Sequence, residues 1–220
     1  MFYKDSQNIY RVPELEAFPW LVHGFGTRWS QNFGSCHNLA TLHQIHSDTV
    51  VTAGGRSGCI GEGDALLENT PGLLVAVKTA DCIPLLLVDP VHRAVAAVHA
   101  GWRGTARNIG AHAVSAMAAA FGTQPGDLHA AVGPGIGKCC YQVGPDVASE
   151  FSEYEEGLCD SAQPVFLDLG QINRRQLAAC GVGISRIYLS GLCTKCNPDF
   201  HSFRRDKQDA GRMLSVAGIV

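Results

Sequence analysis

The chain has 220 residues, of which 46% are hydrophobic and 17% are charged. This composition is typical of a globular protein with a full-size core and excludes an intrinsically disordered chain. The formal net charge of -3, from 17 basic and 20 acidic residues, provides no overall attraction to nucleic acid or to an anionic membrane surface. We therefore expect neither nucleic acid nor a membrane as a partner.

The N-terminal residues and the cysteines indicate where the protein resides. The opening MFYKDSQNIYRVPELE lacks the apolar core of a signal peptide. The most apolar stretch, residues 73–88, is interrupted by Lys78, Asp81 and Pro84, so it falls short of the ~20 apolar residues of a membrane span. The nine cysteines are scattered and odd in number, unlike the framework of a small disulfide-rich domain. We therefore expect a cytoplasmic protein with reduced thiols.

Strands and helices are predicted along most of the chain, beginning after a glycine-rich stretch at 54–63 that is typical of a surface loop. Apolar runs bounded by turn residues predict buried strands. Helices are predicted from an alanine-rich segment that Gly122 ends and from a segment that Asp168 caps, among others. In chain order these are strands at 73–77, 83–88 and 94–98, a helix at 105–121, a strand at 128–132, helices at 145–154 and 168–180, and a strand at 184–189. Strands and helices do not alternate strictly in this order. It therefore favours an α+β fold, or an α/β layered fold with a mixed sheet, over a doubly wound Rossmann domain. We expect one domain over residues 1–220.

Two motifs approach known signatures without matching them. The string GPGIGKC at 133–139 lacks the spacing and the final Ser or Thr of a P-loop, so it predicts a tight turn. Cys193 and Cys196 form a C-x-x-C, but a zinc ribbon needs a second one, and Cys139-Cys140 has no spacer. A thioredoxin-type pair would lie early in a βαβ unit. We therefore predict neither structural zinc nor a redox pair here, and we assign Cys196 no role.

The segment from residue 42 to residue 107 contains three donors suited to a metal. His46, Cys82 and His99 come from separate parts of this segment, and the last two lie at the ends of apolar runs. Imidazole and thiolate are natural zinc donors, and three protein ligands leave a fourth position open, as in catalytic zinc sites. The alternative is that the histidines are merely hydrogen-bonded and the cysteine fills the core.

Polar residues near these donors suggest substrate contacts. Asp81 is a candidate general acid or base, or a carboxylate that orients a histidine ligand, because an unpaired buried charge is expensive. Arg103, between two glycines, can present its planar guanidinium to a phosphate. Arg204 and Arg205 are more distant anion-binding candidates, and Gln44 is a further candidate for contact with the substrate.

Six strings occur in order along the chain: QIHS, KTADCIPLLLVDP, VHAGWRGT, GPGIGKCCYQVG, CT and SFRRD…GR. In them the chain resembles the purine nucleoside phosphorylase/laccase-domain family, also called the YfiH-like or polyphenol oxidoreductase family, from about residue 25 to residue 212. The resemblance implies a single α+β domain of the cytotoxic necrotizing factor/YfiH-like type, with layered mixed β-sheets flanked by helices. It also implies that His46, Cys82 and His99 form a metal-binding triad.

The resemblance further implies an activity. The family is linked to phosphorolysis of adenosine and inosine, cleavage of methylthioadenosine and deamination of adenosine, and some members to phenol oxidation or peptidoglycan-precursor editing. A multicopper oxidase needs about ten histidines, commonly in H-x-H pairs, whereas this chain has nine histidines and no such pair. We therefore expect a zinc-dependent purine nucleoside phosphorylase, with purine nucleoside and phosphate as substrates and adenosine deaminase as a second activity.

Other functions stay open at this point. The enzymatic alternatives are a copper-dependent polyphenol oxidase and a hydrolase that edits peptidoglycan precursors. The non-enzymatic alternative is a nucleotide- or partner-binding protein with a vestigial site, although such a protein has no chemical need for a complete ligand triad. The sequence indicates no particular oligomeric state.

Overall fold

The computed structural model describes residues 1–30, 33, 38–154 and 164–220. Its strands are β1 (Tyr3–Lys4), β2 (Tyr10–Arg11), β3 (Leu21–Phe25), β4 (Asn38–His43), β5 (Val50–Thr52), β6 (Gly58–Glu62), β7 (Ala65–Glu68), β8 (Leu73–Thr79), β9 (Ile83–Asp89), β10 (Ala94–Ala100), β11 (His129–Val132), β12 (Gln142–Val143), β13 (Val165–Phe166), β14 (Ile187–Leu189) and β15 (Met213–Ile219). Its α-helices are α1 (Trp102–Ala106), α2 (Ile109–Phe121), α3 (Pro145–Ser149), α4 (Leu169–Ala179) and α5 (Phe203–Asp206). Short 3-10 helices cover Pro13–Ala17, Pro125–Asp127, Ile184–Arg186 and Lys207–Asp209.

Most of the strands form two stacked mixed sheets, whereas β12 and β13 pair only with each other, in a separate antiparallel sheet. The larger sheet has the order β1-β2-β3-β15-β8-β4-β6, and the smaller sheet has the order β14-β11-β9-β10-β7-β5. Strand β4 runs parallel to β6 and β8, and β11 runs parallel to β14, whereas β9 with β10 and β15 with β8 are antiparallel. Helices α2 and α4 pack against the smaller sheet. The predicted α+β fold with layered mixed sheets flanked by helices is confirmed.

The smaller sheet is buried on both faces, which explains its continuous apolar runs. In β9, Leu85 and Leu87 belong to the core beneath α2 and α4. Leu86 and Val88 alternate with them and pack between the two sheets, in the same core as Val75 of β8. A strand covered on both faces lacks the alternation of apolar and polar residues seen in a half-exposed strand. Strands β8, β9 and β10 confirm the three strands predicted there.

The helices differ from the prediction mainly at their boundaries. The predicted helix at 105–121 is two helices, α1 and α2, because Asn108 has a left-handed backbone (φ 57) that a right-handed helix cannot contain. Gly122 ends α2 in the left-handed conformation, as predicted. Asp168 caps α4 by accepting a hydrogen bond from the N–H of Gln171, also as predicted. Helix α3 ends at Ser149, so the predicted helix at 145–154 is too long.

Some strands were not predicted, or were predicted too long. Residues 54–63 are not all loop, because β6 (Gly58–Glu62) pairs with β4 at the edge of the larger sheet. The predicted strand at 184–189 begins only at Ile187, after a 3-10 turn.

None of the helices in the described ranges combines the length and the apolarity that crossing a membrane requires.

Candidate active site

A cavity of about 520 Å³ opens where the loops after β4 and β8 and the end of β10 meet the loop at 136–141 and the C-terminal segment. This size suits a small-molecule site. Its lining combines metal-donor, cationic and apolar side chains. The lining residues are Leu42, His43, Gln44, His46, Lys78, Thr79, Ala80, Asp81, Cys82, His99, Ile136, Tyr141, Phe203, Arg204 and Arg212.

The three predicted metal donors converge on this cavity. One donor atom each of His46, Cys82 and His99 lies within 4.8 Å of the other two. The two imidazole rings meet edge to face, with centroids 4.8 Å apart. His99 is buried, Cys82 is half-buried and His46 is exposed, so the group extends from the interior to the surface. The structure therefore brings together side chains that lie far apart in the sequence.

A buried carboxylate, Asp64, positions both histidines. Because an ionised carboxylate only accepts hydrogen bonds, Nδ1 of His99 donates to Oδ1 of Asp64, at 2.7 Å. The same carboxylate accepts hydrogen bonds from the backbone N–H groups of His46 (3.1 Å) and Ser47 (2.6 Å), and from the Ser47 hydroxyl (2.8 Å). These bonds hold His46 in a left-handed backbone conformation (φ 58). Carboxylates that orient ligand histidines in this way are common around protein metal sites.

Asp64 was missed in the sequence. It follows Gly63 and directly precedes the buried strand β7. A single carboxylate at the start of an apolar run is the signal that could have identified it, because a buried charge needs partners. The role of orienting a histidine, which was considered for Asp81, is filled by Asp64.

The electrostatics of the triad favour an ionised thiol. Burial opposes ionisation of Cys82, but hydrogen bonds from His46 and His99 and their charges outweigh it and lower the pKa of the thiol to about 6. Burial also disfavours protonated His99, but Asp64 and Cys82 raise the pKa of His99 to about 9. Burial likewise opposes ionisation of Asp64, whereas hydrogen bonds from His99 and Ser47 lower its pKa to about 2. The thiolate is the form of cysteine that binds metals.

The local packing leaves room around the donors. Gly101 precedes α1, and a Cβ atom there would lie 3.2 Å from Sγ of Cys82 and 3.2 Å from Cδ2 of His46. A side chain at this position would therefore crowd the donor atoms. One thiolate, two imidazoles and an orienting carboxylate match the donors of a three-ligand zinc site. The residues present thus fit the metal that the family resemblance implies.

Asp81 faces the cavity with both carboxylate oxygens engaged. The Thr194 hydroxyl donates to Oδ1 at 2.6 Å, and the backbone N–H of Arg204 donates to Oδ2 at 2.6 Å. Asp81 also has a left-handed backbone (φ 88), a conformation that non-glycine residues rarely adopt. These bonds hold the carboxylate beside Cys82 and join the β8–β9 turn to the C-terminal loops.

The three predicted arginines occupy different environments. Arg204 lines the cavity, with its guanidinium over the Tyr141 ring at 5.3 Å from the centroid. Arg205 lies outside the lining, because its guanidinium donates to Asp206 and to backbone carbonyls of the neighbouring loops. Arg103 is exposed and stacks on Trp102, at 4.3 Å from the ring centroid, and it is also outside the lining.

Two cationic side chains that the sequence analysis did not single out, Lys78 and Arg212, line the cavity together with Arg204. Gln44 lines it as well, but its side-chain amide is paired with the backbone of β8. Its Nε2 donates to the carbonyl of Lys78 at 2.8 Å, and its Oε1 accepts from the N–H of the same residue at 2.8 Å. Gln44 therefore fixes the segment that carries His46 against the larger sheet.

Comparisons with known proteins agree with this architecture. The family model described as multi-copper polyphenol oxidoreductase laccase matches residues 23–220. A protein of Deinococcus radiodurans named purine nucleoside phosphorylase is 43% identical over 184 residues, which cover 83% of this chain and 70% of that protein. A Geobacillus stearothermophilus protein named purine nucleoside phosphorylase YlmD is 37% identical over 173 residues, but the match spans only 59% of its length.

A solved structure shows the same fold. The crystal structure of the Bacillus licheniformis hypothetical protein YfiH superposes with a TM-score of 0.89 at 26% identity, covering 100% of this chain and 99% of that one. The resemblance drawn from the six sequence strings is thus confirmed. With the family model matched from β3 to the last described residue, the chain belongs to the laccase-domain, YfiH-like family of polyphenol oxidoreductases.

Proposed function

We propose that this protein is a zinc-dependent purine nucleoside phosphorylase that cleaves adenosine or inosine with phosphate to the free base and ribose 1-phosphate. Methylthioadenosine is a further proposed substrate. The observation that carries the proposal is the convergence of His46, Cys82 and His99 on a cavity that also contains cationic side chains. The names of the Deinococcus and Geobacillus relatives support the same reaction.

His46, Cys82 and His99 would hold the zinc ion, with Asp64 fixing the histidines. When bound, zinc supplies a Lewis acid at this position in the cavity. The buried hydrogen bond between Asp64 and His99 keeps Nδ1 of that ring protonated, so that its Nε2 is the nitrogen available for a metal.

The cationic residues of the cavity would bind phosphate. Lys78, Arg204 and Arg212 contribute positive charge to the lining. Guanidinium groups pair with phosphate through two parallel hydrogen bonds, which fix its orientation as well as its position. Arg103 is a further proposed source of positive charge, acting from outside the lining, where its guanidinium stacks on Trp102.

The remaining lining residues suit a purine nucleoside. Leu42, Ile136, Tyr141 and Phe203 provide apolar and aromatic surface for a planar base. Asp81 is the proposed general acid or base, because its carboxylate is held at the cavity beside Cys82. A proton supplied to the base as the glycosidic bond breaks would allow it to leave as a neutral purine.

The cationic lining favours phosphorolysis over the alternative reactions. Deamination of adenosine uses water rather than an anion, so it does not require Lys78, Arg204 and Arg212. Copper-dependent phenol oxidation agrees with the family description, but the described residues contain two clusters of three or more metal donors, and only one of these includes histidine. A multicopper oxidase requires several histidine-rich copper centres.

Product analysis tests the proposed reaction. Purified protein is incubated with adenosine or inosine, with and without phosphate, and the bases, nucleosides and ribose 1-phosphate are separated by chromatography. We expect adenine or hypoxanthine to form only with phosphate, and His99→Ala to abolish the reaction. Inosine as the sole product from adenosine, without a phosphate effect, would identify a deaminase. Oxidation of a phenol only with added copper would support the polyphenol oxidase.

Arg204→Ala tests the proposed phosphate contact. The substitution removes the guanidinium but keeps the backbone N–H that binds Asp81. We expect the KM for phosphate to rise about tenfold or more, with the zinc content unchanged, because charge-assisted hydrogen bonds to phosphate are lost. Arg107→Ala is the matched control, since Arg107 is exposed and outside the cavity lining. Equal KM values in the two variants would remove Arg204 from the phosphate site.

A further inference from the structure

Four cysteine thiols meet at the loop 136–141, and none of them lines the large cavity. One Sγ each of Cys139, Cys140, Cys193 and Cys196 lies within 4.8 Å of the other three. The Sγ of Cys196 is 3.6 Å from that of Cys139 and 3.3 Å from that of Cys140. The lack of a second C-x-x-C argues against a zinc site here, but in the structure the adjacent pair Cys139-Cys140 supplies the other two thiols.

Backbone contacts between two loops bring the thiols together. Gly135 forms a β-bridge with Cys193, and the N–H of Thr194 donates to the carbonyl of Gly135 at 2.9 Å. The N–H of Gly137 donates to Sγ of Cys193 at 3.3 Å. A Cβ atom at position 137 would lie 3.2 Å from Cβ of Cys193 and 3.4 Å from Sγ of Cys139, so a side chain there would crowd the cysteines. The loops are therefore held in register by bonds other than those among the thiols.

We propose that Cys139, Cys140, Cys193 and Cys196 bind a structural zinc ion that is separate from the triad. Zinc with four thiolate ligands at about 2.3 Å places the sulfur atoms about 3.8 Å apart in a tetrahedron. The observed separations of 3.3 and 3.6 Å lie near that value, whereas the sulfur atoms of a disulfide lie about 2.05 Å apart. The four cysteines are free thiols in the structure. The N–H of Gly137 provides the kind of hydrogen bond to sulfur that accompanies zinc thiolates.

The donor set indicates a structural rather than a catalytic role. Four protein ligands complete a tetrahedron and leave no position for water or substrate, in contrast to the three donors of the triad. The proposal does not rest on the proposed enzymatic reaction, because none of the four cysteines lines the large cavity.

The site would nevertheless stabilise a wall of that cavity. Ile136 and Tyr141 flank the loop that carries Cys139 and Cys140, and both line the cavity. On the second loop, Thr194 donates its hydroxyl to Asp81, which also lines the cavity. A metal that joins the two loops would therefore fix several residues around the proposed substrate.

Zinc analysis of purified variants tests the proposal. We expect about two zinc ions per chain in the unmodified protein and about one in each of His99→Ala and Cys196→Ser, since each substitution removes a ligand from a different site. Cys59→Ser is the matched control, because Cys59 is an exposed free thiol outside both donor clusters, and it should retain about two.

X-ray absorption of the His99→Ala protein identifies the ligands of the remaining zinc, without requiring that any cluster variant folds. We expect four sulfur neighbours at about 2.3 Å. A zinc-free His99→Ala protein, a zinc bound by nitrogen or oxygen, or a disulfide within the four cysteines found by peptide mapping would overturn the proposal. Absence of nucleoside cleavage by the unmodified protein, with about two zinc ions bound, would instead overturn only the proposed function.

Discussion

Single residues decide how firmly the proposed catalytic zinc is held, and Asp64 is the clearest case. Its carboxylate accepts a hydrogen bond from the His99 ring. It also accepts hydrogen bonds from the backbone N–H groups of Ile45, His46 and Ser47. Asp64→Asn keeps the shape but removes the charge and replaces one acceptor oxygen by a donor. We expect zinc affinity at the triad to fall about 10- to 100-fold, as is typical when a ligand histidine loses its carboxylate partner.

Competition with a chromophoric chelator measures this affinity. Asp48→Asn is the control, since Asp48 pairs with His112 at 3.3 Å, and both side chains are more than a third exposed. An unchanged dissociation constant in the Asp64 variant would show that the histidines are oriented by other groups.

His23 provides a pH-dependent contribution to stability at the residue scale. The side chain is buried, and Nε2 accepts a hydrogen bond from the N–H of Val12 at 3.1 Å. Burial and the charge of Arg11 lower its pKa from 6.5 to about 4. Between these two pH values the unfolded chain therefore binds more protons than the folded protein. The contribution of His23 to stability is complete above about pH 6.5 and is lost as the pH falls towards 4.

We expect His23→Gln to flatten this part of the pH profile. The shift in pKa corresponds to about 3 kcal/mol of unfolding free energy when the pH is well below both values. Urea unfolding at a series of pH values measures the slope, and His112→Gln is the exposed control. The prediction is wrong if the slopes between pH 4 and 6.5 are the same in the His23 variant and the unmodified protein.

At the scale of elements, close packing between strands makes β15 sensitive to small changes. A Cβ atom on Gly218 would lie 2.2 Å from Cδ2 of Leu74 and 2.7 Å from the carbonyl oxygen of Leu73, both in the adjacent strand β8. We expect Gly218→Ala to reduce the free energy of unfolding by about 1–3 kcal/mol, because overpacking forces neighbouring atoms to move. Denaturant unfolding measures this difference.

Gly126→Ala is the matched control for Gly218→Ala. A Cβ atom on Gly126 would meet no atom within 4 Å, and the backbone there is not left-handed. This variant should change the unfolding free energy by no more than a few tenths of a kcal/mol. Equal effects of the two substitutions would mean that the strand contact is not the cause.

The elements that the sequence predicts well are those whose burial imposes a pattern. Strands β8, β9 and β10 were predicted because apolar runs end at turn residues. Strand β6 was not, because it lies at the sheet edge, mostly exposed, and contains glycines. The division of the predicted helix at Asn108 depends on one backbone conformation, which composition does not specify.

The site shows the same limit. Residue chemistry predicts His46, Cys82 and His99 as donors, but it does not reveal which carboxylate faces His99. The contacts of Asp64 with His99, and of Cys140 with Cys196, join segments distant in the sequence. Such pairs become visible only when the packing of the loops is known.

At the scale of the whole molecule, we expect stability to be independent of disulfide bonds. The cysteines within the described ranges are free thiols. The melting temperature should therefore be the same with and without a non-thiol reductant, at constant zinc, as measured by calorimetry. A non-thiol reductant is used because thiols can also remove zinc, and a change in bound zinc would itself change the melting temperature. A clear decrease with reductant would reveal a stabilising disulfide.

The position of β15 determines when the larger sheet can form during synthesis. This strand lies between β3 and β8, with Ala217 opposite His23 on one side and Val75 on the other. Ribosomes complete β3 and β8 long before β15 emerges, whereas β9 and β10 can pair as a local hairpin. The nascent chain therefore exposes two unsatisfied strand edges for most of its translation, and this is the interval in which aggregation or chaperone binding competes with folding.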